Sequence, residues 1–278
     1  MEEILISDIT ISYNNIEGLK KTLNSLIIQQ IRSEEISIGL EVIVIDGGSN
    51  DGTKNLLQAY ESKFAEKGIM YKYLSEPDEG VYSAMNKGID MATGQWIMFL
   101  NSGDVMYSFS TLNDFWKKAH SEGLLQCDII YGDSNREYID LKKDRTVEKV
   151  MEPLPLETIV HGLPFSHQSV FTKTVLFKTR KYDETFRISG DYEWFLNAYQ
   201  EGKIFVYIPV CVSSFDTQGI SAMNLYENYL EAERIRFMHG ISETVVLRRV
   251  KQGIWWFLDK LRVRSEIVEL INRLIRNK

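Results

Sequence analysis

EPDEGVYSAMNKGIDMATGQWIMFLNSGD, residues 76–104, is the stretch on which the fold turns. Within it the apolar run Trp96–Leu100 stops at Asn101-Ser102-Gly103-Asp104. A short apolar run ending in polar residues and glycine reads as a buried strand whose carboxyl end opens onto a turn. In open α/β sheets ligands bind at that edge. A carboxylate there can hold a divalent cation, and the cation a diphosphate; the same composition also suits an ordinary strand-to-helix turn. Two further stretches repeat the pattern. Glu41–Ile45 is followed by Asp46-Gly-Gly-Ser-Asn-Asp-Gly-Thr and an amphipathic stretch through Tyr60. Its glycines allow close approach to the backbone, and Ser49 or Asn50 is expected to cap a helix starting near Asp51. Ile9–Asn15 is a third strand ending in hydrogen-bonding side chains. Three such ends predict one polar crevice.

Outward from these turns, strands are expected near 5–12, 41–46, 70–74 and 96–100, and helices near 15–30, 52–66, 80–92 and 109–121. This alternation predicts an α/β fold with a mostly parallel, mixed sheet covered by helices on both faces. Cys127–Tyr131 reads as a fifth strand ending at Gly132-Asp133, and 135–150 as an antiparallel excursion. Pro153, Pro155 and Pro164 make 152–166 an irregular loop. A strand at 168–172, a helix at 191–201 and a strand at 203–211 follow, and from 222 the pattern is helical. The expected division is one α/β unit over 1–221 and a helical extension over 222–278.

At 278 residues and 44% hydrophobic, the chain can bury one large α/β core, or a core with an appendage. Cys127 and Cys211 lie in apolar runs and suggest no disulfide framework, so a reduced cytoplasmic setting is expected. The N-terminal MEEILISDIT is acidic and too short in apolar length for a secretory signal. No run approaches the ~18 apolar residues of a spanning helix. A soluble protein, or one peripheral to the inner face of the cell membrane, is expected. Residues 244–278 carry nine Lys/Arg against three acids, a net +6, which leaves −13 on residues 1–243 of a chain whose total is −7. So acidic a body argues against nucleic-acid binding, which relies on neutralising phosphates. Trp255, Trp256, Phe257 and Leu258 sit among Arg248, Arg249, Lys251, Lys260, Arg262 and Arg264. Such a stretch suits an anionic membrane surface; it suits equally a helix packed on the α/β unit or on a second copy of the chain.

The order TISYNN (10–15), VIVIDGGSNDGT (42–53), SEPDEGVYSAMNKGIDMATGQWIMFLNSGD (75–104), HQSVF (167–171) and SGDYEWFL (189–196) resembles a family 2 glycosyltransferase over roughly residues 4 to 220. The resemblance implies a GT-A fold and transfer of a hexosyl or N-acetylhexosaminyl group with inversion. The donor would be a nucleotide diphosphate sugar, UDP-linked by preference. The acceptor would be a saccharide or a lipid-linked acceptor in polysaccharide biosynthesis.

Such a reaction makes two physical demands. Charge accumulates on the departing diphosphate and calls for a cation, Mg²⁺ or Mn²⁺. The acceptor hydroxyl is a poor nucleophile and calls for a carboxylate base. The resemblance implies Asp104 as metal ligand, although Asn101 and Gly103 stand where similar enzymes often carry a further acid. It implies Asp191 as base, although Gly190 replaces the acid that usually precedes it. A helical wheel alone leaves Asp191 and Glu193 open, because they flank the Tyr192, Phe195, Leu196, Tyr199 stripe on opposite sides. Asp46 is implied as the acceptor of a base N–H, with Thr10, Ser12 and Tyr13 lining the same pocket and Tyr13 offering a stacking face. Asn86, Lys87, Asn101 and Ser102 are implied near the donor, and His167 near phosphate or acceptor. His161 and His167, without a cysteine cluster, do not make a zinc site. The rival reading is a non-catalytic sugar-nucleotide-binding or scaffolding protein of a glycan assembly complex. A nucleotidyltransferase would need a Gly- and Arg/Lys-rich loop that TISYNNIEGLKK lacks.

Overall fold

Each apolar run of the first half becomes a strand, and each amphipathic stretch a helix laid against it. The computed structural model describes residues 3–33, 36–140, 145–216 and 224–241, together with 253, 254, 256 and 257. The first three strands, β1 (Glu3–Ser12), β2 (Ser37–Asp46) and β3 (Met70–Ser75), alternate with α1 (Ile16–Ile27) and α2 (Thr53–Glu66). α3 (Val81–Met91) then leads into β4 (Trp96–Phe99). These four strands pair in parallel in the order β3-β2-β1-β4. The chain steps outward from β1 to β3 and returns to add β4 on the other side of β1. That reversal opens a crevice at the carboxyl ends of β1 and β4.

After β4 come the two-residue β5 (Val105–Met106), α4 (Thr111–Ser121), β6 (Ile129–Asp140), β7 (Arg145–Met151), β8 (Val170–Lys173), α5 (Thr174–Thr179), α6 (Gly190–Gln200), β9 (Phe205–Asp216) and α7 (Leu225–Met238). Beyond β4 the sheet continues β8-β6-β9-β5, and β7 forms a hairpin with β6. β8 is antiparallel to both β4 and β6, so β6 and its parallel neighbour β9 run the same way as β1. Their carboxyl ends therefore reach the same edge. Among the described residues this makes one mixed sheet of nine strands.

Alternation along β2 shows how the two faces are filled. Ile38, Leu40, Val42 and Val44 point to one side, with Leu19, Leu23 and Leu26 of α1, Leu57 and Phe64 of α2, and Phe115 and Trp116 of α4. Ile43 and Ile45 point to the other, with Met85 and Ile89 of α3, Phe177 of α5, Trp194, Phe195 and Leu196 of α6, and Ile235 of α7. Helices thus cover both faces, as the alternation predicts. The part of the helical extension from Leu225 to Met238 is built into the second core, with Ile235 fully buried. Residues 253, 254, 256 and 257 are helical; the rest of the basic stretch, and with it the expected membrane or subunit contact through 244–278, lies outside the described residues.

Several boundaries differ from expectation. β6 does not stop at Gly132-Asp133 but runs through it to Asp140, with a bulge against β9 between Tyr131 and Ser134. A Cβ on Gly132 would sit 2.4 Å from the Val210 carbonyl oxygen, so glycine here admits the neighbouring strand and does not end its own. β9 accordingly extends to Asp216. The cap of α2 is neither Ser49 nor Asn50. Gly52, at φ 97°, precedes the helix, and Asp51 accepts from the backbone N–H and hydroxyl of Thr53. Thr174–Thr179 is helical although its six residues give too short a pattern to read.

At the opposite end of the sheet Glu41 ties three strands together. Its buried carboxylate accepts from Ser7 Oγ, Lys72 Nζ, the Thr93 backbone N–H at 2.8 Å and Thr93 Oγ1 at 2.9 Å. Burial works against the charged form, yet these hydrogen bonds hold the carboxyl below its ordinary range.

Candidate functional site

The loops at the carboxyl edge are laced to one another. Asn14 takes a left-handed backbone at φ 48°, which asparagine tolerates better than most residues. Its N–H donates to Ser49 Oγ at 2.7 Å, and its Oδ1 accepts from the Asn50 N–H at 3.0 Å. Asp51 Oδ2 accepts from the Ile16 N–H at 2.9 Å. These bonds fix the turn after β2 on the turn after β1. Asn15 Nδ2 donates to the Ser102 carbonyl, and Ser102 Oγ to the Asn15 carbonyl, both at 3.2 Å. Thr22 of α1 completes the joint, donating to the Asp104 carbonyl at 2.6 Å and accepting from the Gly103 N–H at 3.0 Å. Gly103, at φ 108°, makes the turn possible.

Asp46 is fully buried, and its carboxylate accepts from Ser49 N–H, Ser49 Oγ and Ser75 Oγ. It braces the β2 turn against β3. Beside it in register, Ser12 has a buried hydroxyl with no hydrogen-bond partner. Tyr13 is 67% exposed and its ring lies over Gly47, where a Cβ would come within 3.2 Å of it. The same Cβ would meet Asp78 Oδ2 at 2.7 Å, so Tyr13 and Asp78 flank the glycine. Thr10 stands behind this wall, fully buried with its hydroxyl on Asp8 Oδ2 at 3.0 Å. Asn86 also faces inward. Its amide clamps Tyr182, accepting from the Tyr182 N–H and donating to the Tyr182 carbonyl, each at 3.0 Å. Lys87 bridges the loop after β3, pairing with Glu76 at 2.8 Å and donating to the Pro77 carbonyl.

Asp104, nearly buried, accepts at Oδ2 from Gln168 Nε2 at 3.2 Å. Next to Gln168, the His167 ring stacks on Phe99 at 5.2 Å, and its Nε2 meets the Tyr182 hydroxyl at 2.9 Å. Burial pushes the His167 imidazole below its ordinary value, and the Asp191 carboxylate partly opposes that. Neutral His167 thus stands between the Asp104 turn and Asp191. The Tyr82 hydroxyl lies 2.7 Å from the Ile188 carbonyl and 3.2 Å from Asp191 Oδ1. Burial, and then the charge of Asp191, raise the Tyr82 phenol well above its usual value, so it stays protonated.

Asp191 and Glu193 have different surroundings. Glu193 is buried and bound to Arg180 at 2.6 Å and to His239 Nε2 at 3.1 Å. Asp191 is half-buried, and its Oδ1 also accepts from the Tyr192 N–H at 2.9 Å. Asp191 is thus the more exposed of the two, and Glu193 is engaged by a cation. Gly190 has its own reason: a Cβ there would lie 2.8 Å from the Tyr82 ring. Sequence reading passed over Tyr82, Gln168 and Tyr182. Gln168 sits inside the HQSVF motif and Tyr82 inside DEGVYSAM, where a buried tyrosine beside an acidic loop was the available signal.

Among the described residues no group of three or more His, Cys, Asp or Glu is gathered to hold a metal ion. The turn at 101–104 supplies Asp104 and the buried, unpartnered Asn101 Oδ1. Hard oxygen donors of this kind fit Mg²⁺ or Mn²⁺ when a diphosphate and water supply the remaining ligands.

The model of the family described as Glycosyl transferase family 2 matches residues 7–189. An uncharacterized glycosyltransferase of Mycobacterium tuberculosis is 32% identical over 227 residues, covering 78% of this chain and 77% of its own. A PGL/p-HBAD biosynthesis glycosyltransferase of Mycobacterium bovis is 26% identical over 213 residues, covering 75% and 78%. Among solved structures, Staphylococcus aureus TarS superposes with a TM-score of 0.62 at 18% identity over 87% of this chain, which spans 40% of the full TarS chain. Its 1–349 portion, solved with UDP, gives the same TM-score at 19% identity, covering 87% of this chain and 67% of that portion. A Pyrobaculum calidifontis mannosyltransferase solved with GDP-Man and Mn²⁺ gives 0.60 at 15% identity, covering 82% of this chain and 64% of the other. The fold is that of the GT-A glycosyltransferases.

Proposed function

The chain belongs to glycosyl transferase family 2, and from that premise we propose that it moves a sugar from a nucleotide diphosphate sugar, UDP-linked by preference, to a hydroxyl of a saccharide or lipid-linked acceptor in glycan assembly. The observation that carries the proposal is the environment of Asp191. Of the two acids at the start of α6, it alone is half-exposed, with Oδ1 held by Tyr192 and Tyr82 and, among the described residues, no hydrogen bond to Oδ2. A carboxylate oriented through one oxygen keeps the other for a substrate proton.

In the proposed step Asp191 Oδ2 takes the acceptor's hydroxyl proton, the acceptor oxygen bonds to the anomeric carbon, and the bond from that carbon to the diphosphate oxygen breaks. The electron pair leaves with the nucleoside diphosphate. One displacement of this kind inverts the anomeric centre and needs no covalent nucleophile. Asp104 would hold a divalent cation, with Asn101 beside it, and the cation supplies charge neutralisation for the departing diphosphate. Ser12 and the exposed Tyr13 ring line the place for the base, the ring offering a stacking face. Asp46 supports that wall, since its carboxylate already accepts from Ser49 and Ser75. Ser102 shapes the phosphate turn. His167, buried and stacked on Phe99 beside the Tyr182 hydroxyl, would line the acceptor side next to Gln168.

A panel of nucleoside diphosphate sugars tests the reading, by thermal shift and by release of nucleoside diphosphate, with Mn²⁺ or Mg²⁺ present. The proposal expects stabilisation and turnover with at least one UDP-sugar. Binding without turnover across the panel and a set of acceptors favours a non-catalytic sugar-nucleotide-binding protein.

A further inference from the structure

Glu231, in the middle of α7, accepts from three successive backbone N–H groups: Arg187 at 2.8 Å, Ile188 at 2.9 Å and Ser189 at 2.8 Å. One turn earlier in α7, Asn228 Oδ1 accepts from Ser189 Oγ at 2.7 Å. Three consecutive amides converging on one carboxylate form a concave anion cradle, and each of its hydrogen bonds is charge-assisted. Ser189 directly precedes α6. A serine there ordinarily turns its hydroxyl onto its own helix, but this one gives it to Asn228, and α6 has no side-chain cap. The start of α6 is therefore held by another helix.

The Ile188 peptide is gripped from both sides. Glu231 binds its N–H, and the Tyr82 hydroxyl lies 2.7 Å from its carbonyl oxygen while approaching Asp191 Oδ1 at 3.2 Å. Two residues beyond this clamp stands Asp191 itself. α7 is fixed in turn by fully buried Ile235 and by Arg236, which pairs with Glu233 and donates to the His161 carbonyl at 3.1 Å.

We propose that α7 is a positioning element for the transfer reaction, in which Glu231 and Asn228 fix the backbone of 187–189 and thereby the direction in which Asp191 presents its carboxylate. The inference rests on Asp191 being the base. It makes the segment after the sheet part of the catalytic apparatus, so whatever shifts α7 changes turnover without touching the donor pocket.

The test uses the full chain with E231A and E231Q, reading kcat by nucleoside diphosphate release, UDP affinity by calorimetry and amide hydrogen exchange. Small displacements of a catalytic group cost up to about 100-fold in rate. E231A should lose at least about tenfold in kcat with UDP affinity held within about twofold, and E231Q, which keeps an accepting oxygen, should fall between it and wild type. Wild-type kcat in either folded variant overturns the proposal, as does a parallel loss of kcat and UDP affinity; if E231A does not fold, E231Q decides. Should the wild-type chain turn over no nucleoside diphosphate sugar, the glycosyl-transfer reading is what fails. The clamp is then read from exchange alone, where faster exchange through 187–193 in either folded variant supports it and unchanged exchange overturns it.

Discussion

Replacing Gly190 by alanine perturbs Asp191, the proposed base, through sterics alone. The new Cβ would lie 2.8, 2.9 and 3.0 Å from Cε2, Cζ and Cδ2 of Tyr82, where carbon atoms ordinarily meet at about 3.5–4.0 Å. The ring has little room to retreat: Tyr82 is 4% exposed, packs on Tyr182 at 5.3 Å and is tethered to Ile188. The start of α6 must therefore shift by several tenths of an ångström, taking Asp191 with it. Overpacking of this kind costs about 1–3 kcal/mol, and alanine's better helix propensity returns up to about 1 kcal/mol. For a mid-range overpacking cost of about 2 kcal/mol the net loss is about 1–2 kcal/mol, which corresponds to a fall of about 2–8 °C in melting temperature for a chain near this size. The displacement should lower kcat by about tenfold or more, with UDP affinity unchanged because the proposed nucleotide wall, Ser12, Tyr13 and Asp46, lies on β1 and β2 and the turn after β1. Differential scanning calorimetry and nucleoside diphosphate release measure the two effects. A G190A variant that melts at or above the wild-type temperature and keeps full turnover would refute the steric argument.

Other substitutions probe separate parts of the account. Tyr82→Phe removes the hydroxyl between Ile188 and Asp191 and should cost about 1 kcal/mol of stability, with kcat falling more than UDP affinity; equal losses in both would deny it a positioning role. Asp8 is fully buried, and burial holds its carboxyl well above the ordinary value. Its stabilising contribution is complete below the unfolded-state pKa and declines as pH rises towards the folded one. Asp8→Asn should therefore raise the melting temperature at neutral pH, with the gain shrinking towards pH 4; a gain independent of pH contradicts this. Glu41 has the opposite sign, since despite burial its folded carboxyl is held below the ordinary glutamate value by its hydrogen bonds. Its contribution is present above that value and is lost as pH falls through the folded pKa. Glu41→Gln should lower stability at pH 7 and weaken the acid dependence, as read from denaturant titrations across pH 3–7.

The parallel block was legible because its physics is local. Trp96–Leu100 and Glu41–Ile45 are apolar runs stopped by acids and glycine, and that pattern specifies both a buried strand and the edge where it ends. Gly132-Asp133 carries the same composition in mid-strand, which is why β6 reads shorter than it is; only the approach of the Val210 carbonyl tells the cases apart. β5 has two residues, too few for any period, and it exists because β9 extends past it. At α6 the wheel puts Asp191 and Glu193 on opposite sides of the apolar stripe, and the partners that engage Glu193 alone, Arg180 and His239, come from elsewhere in the chain and cannot be read from the wheel. Thr10 and Asn86 illustrate the converse. Both lie in the motifs of the donor side, yet their side chains turn inward to Asp8 and Tyr182. The clamp of Glu231 on 187–189 has no sequence signature, because a carboxylate binding backbone N–H groups some forty residues away asks for no residue type at the receiving end.

The central claim, that Asp191 acts as the base beside a donor site it does not itself build, is tested most directly by Asp191→Asn at saturating UDP-sugar. The side chain keeps its size and an oxygen for Tyr192, so UDP affinity should stay within about twofold while turnover falls by about 100-fold or more. Turnover near the wild-type rate in a folded D191N protein would contradict the account.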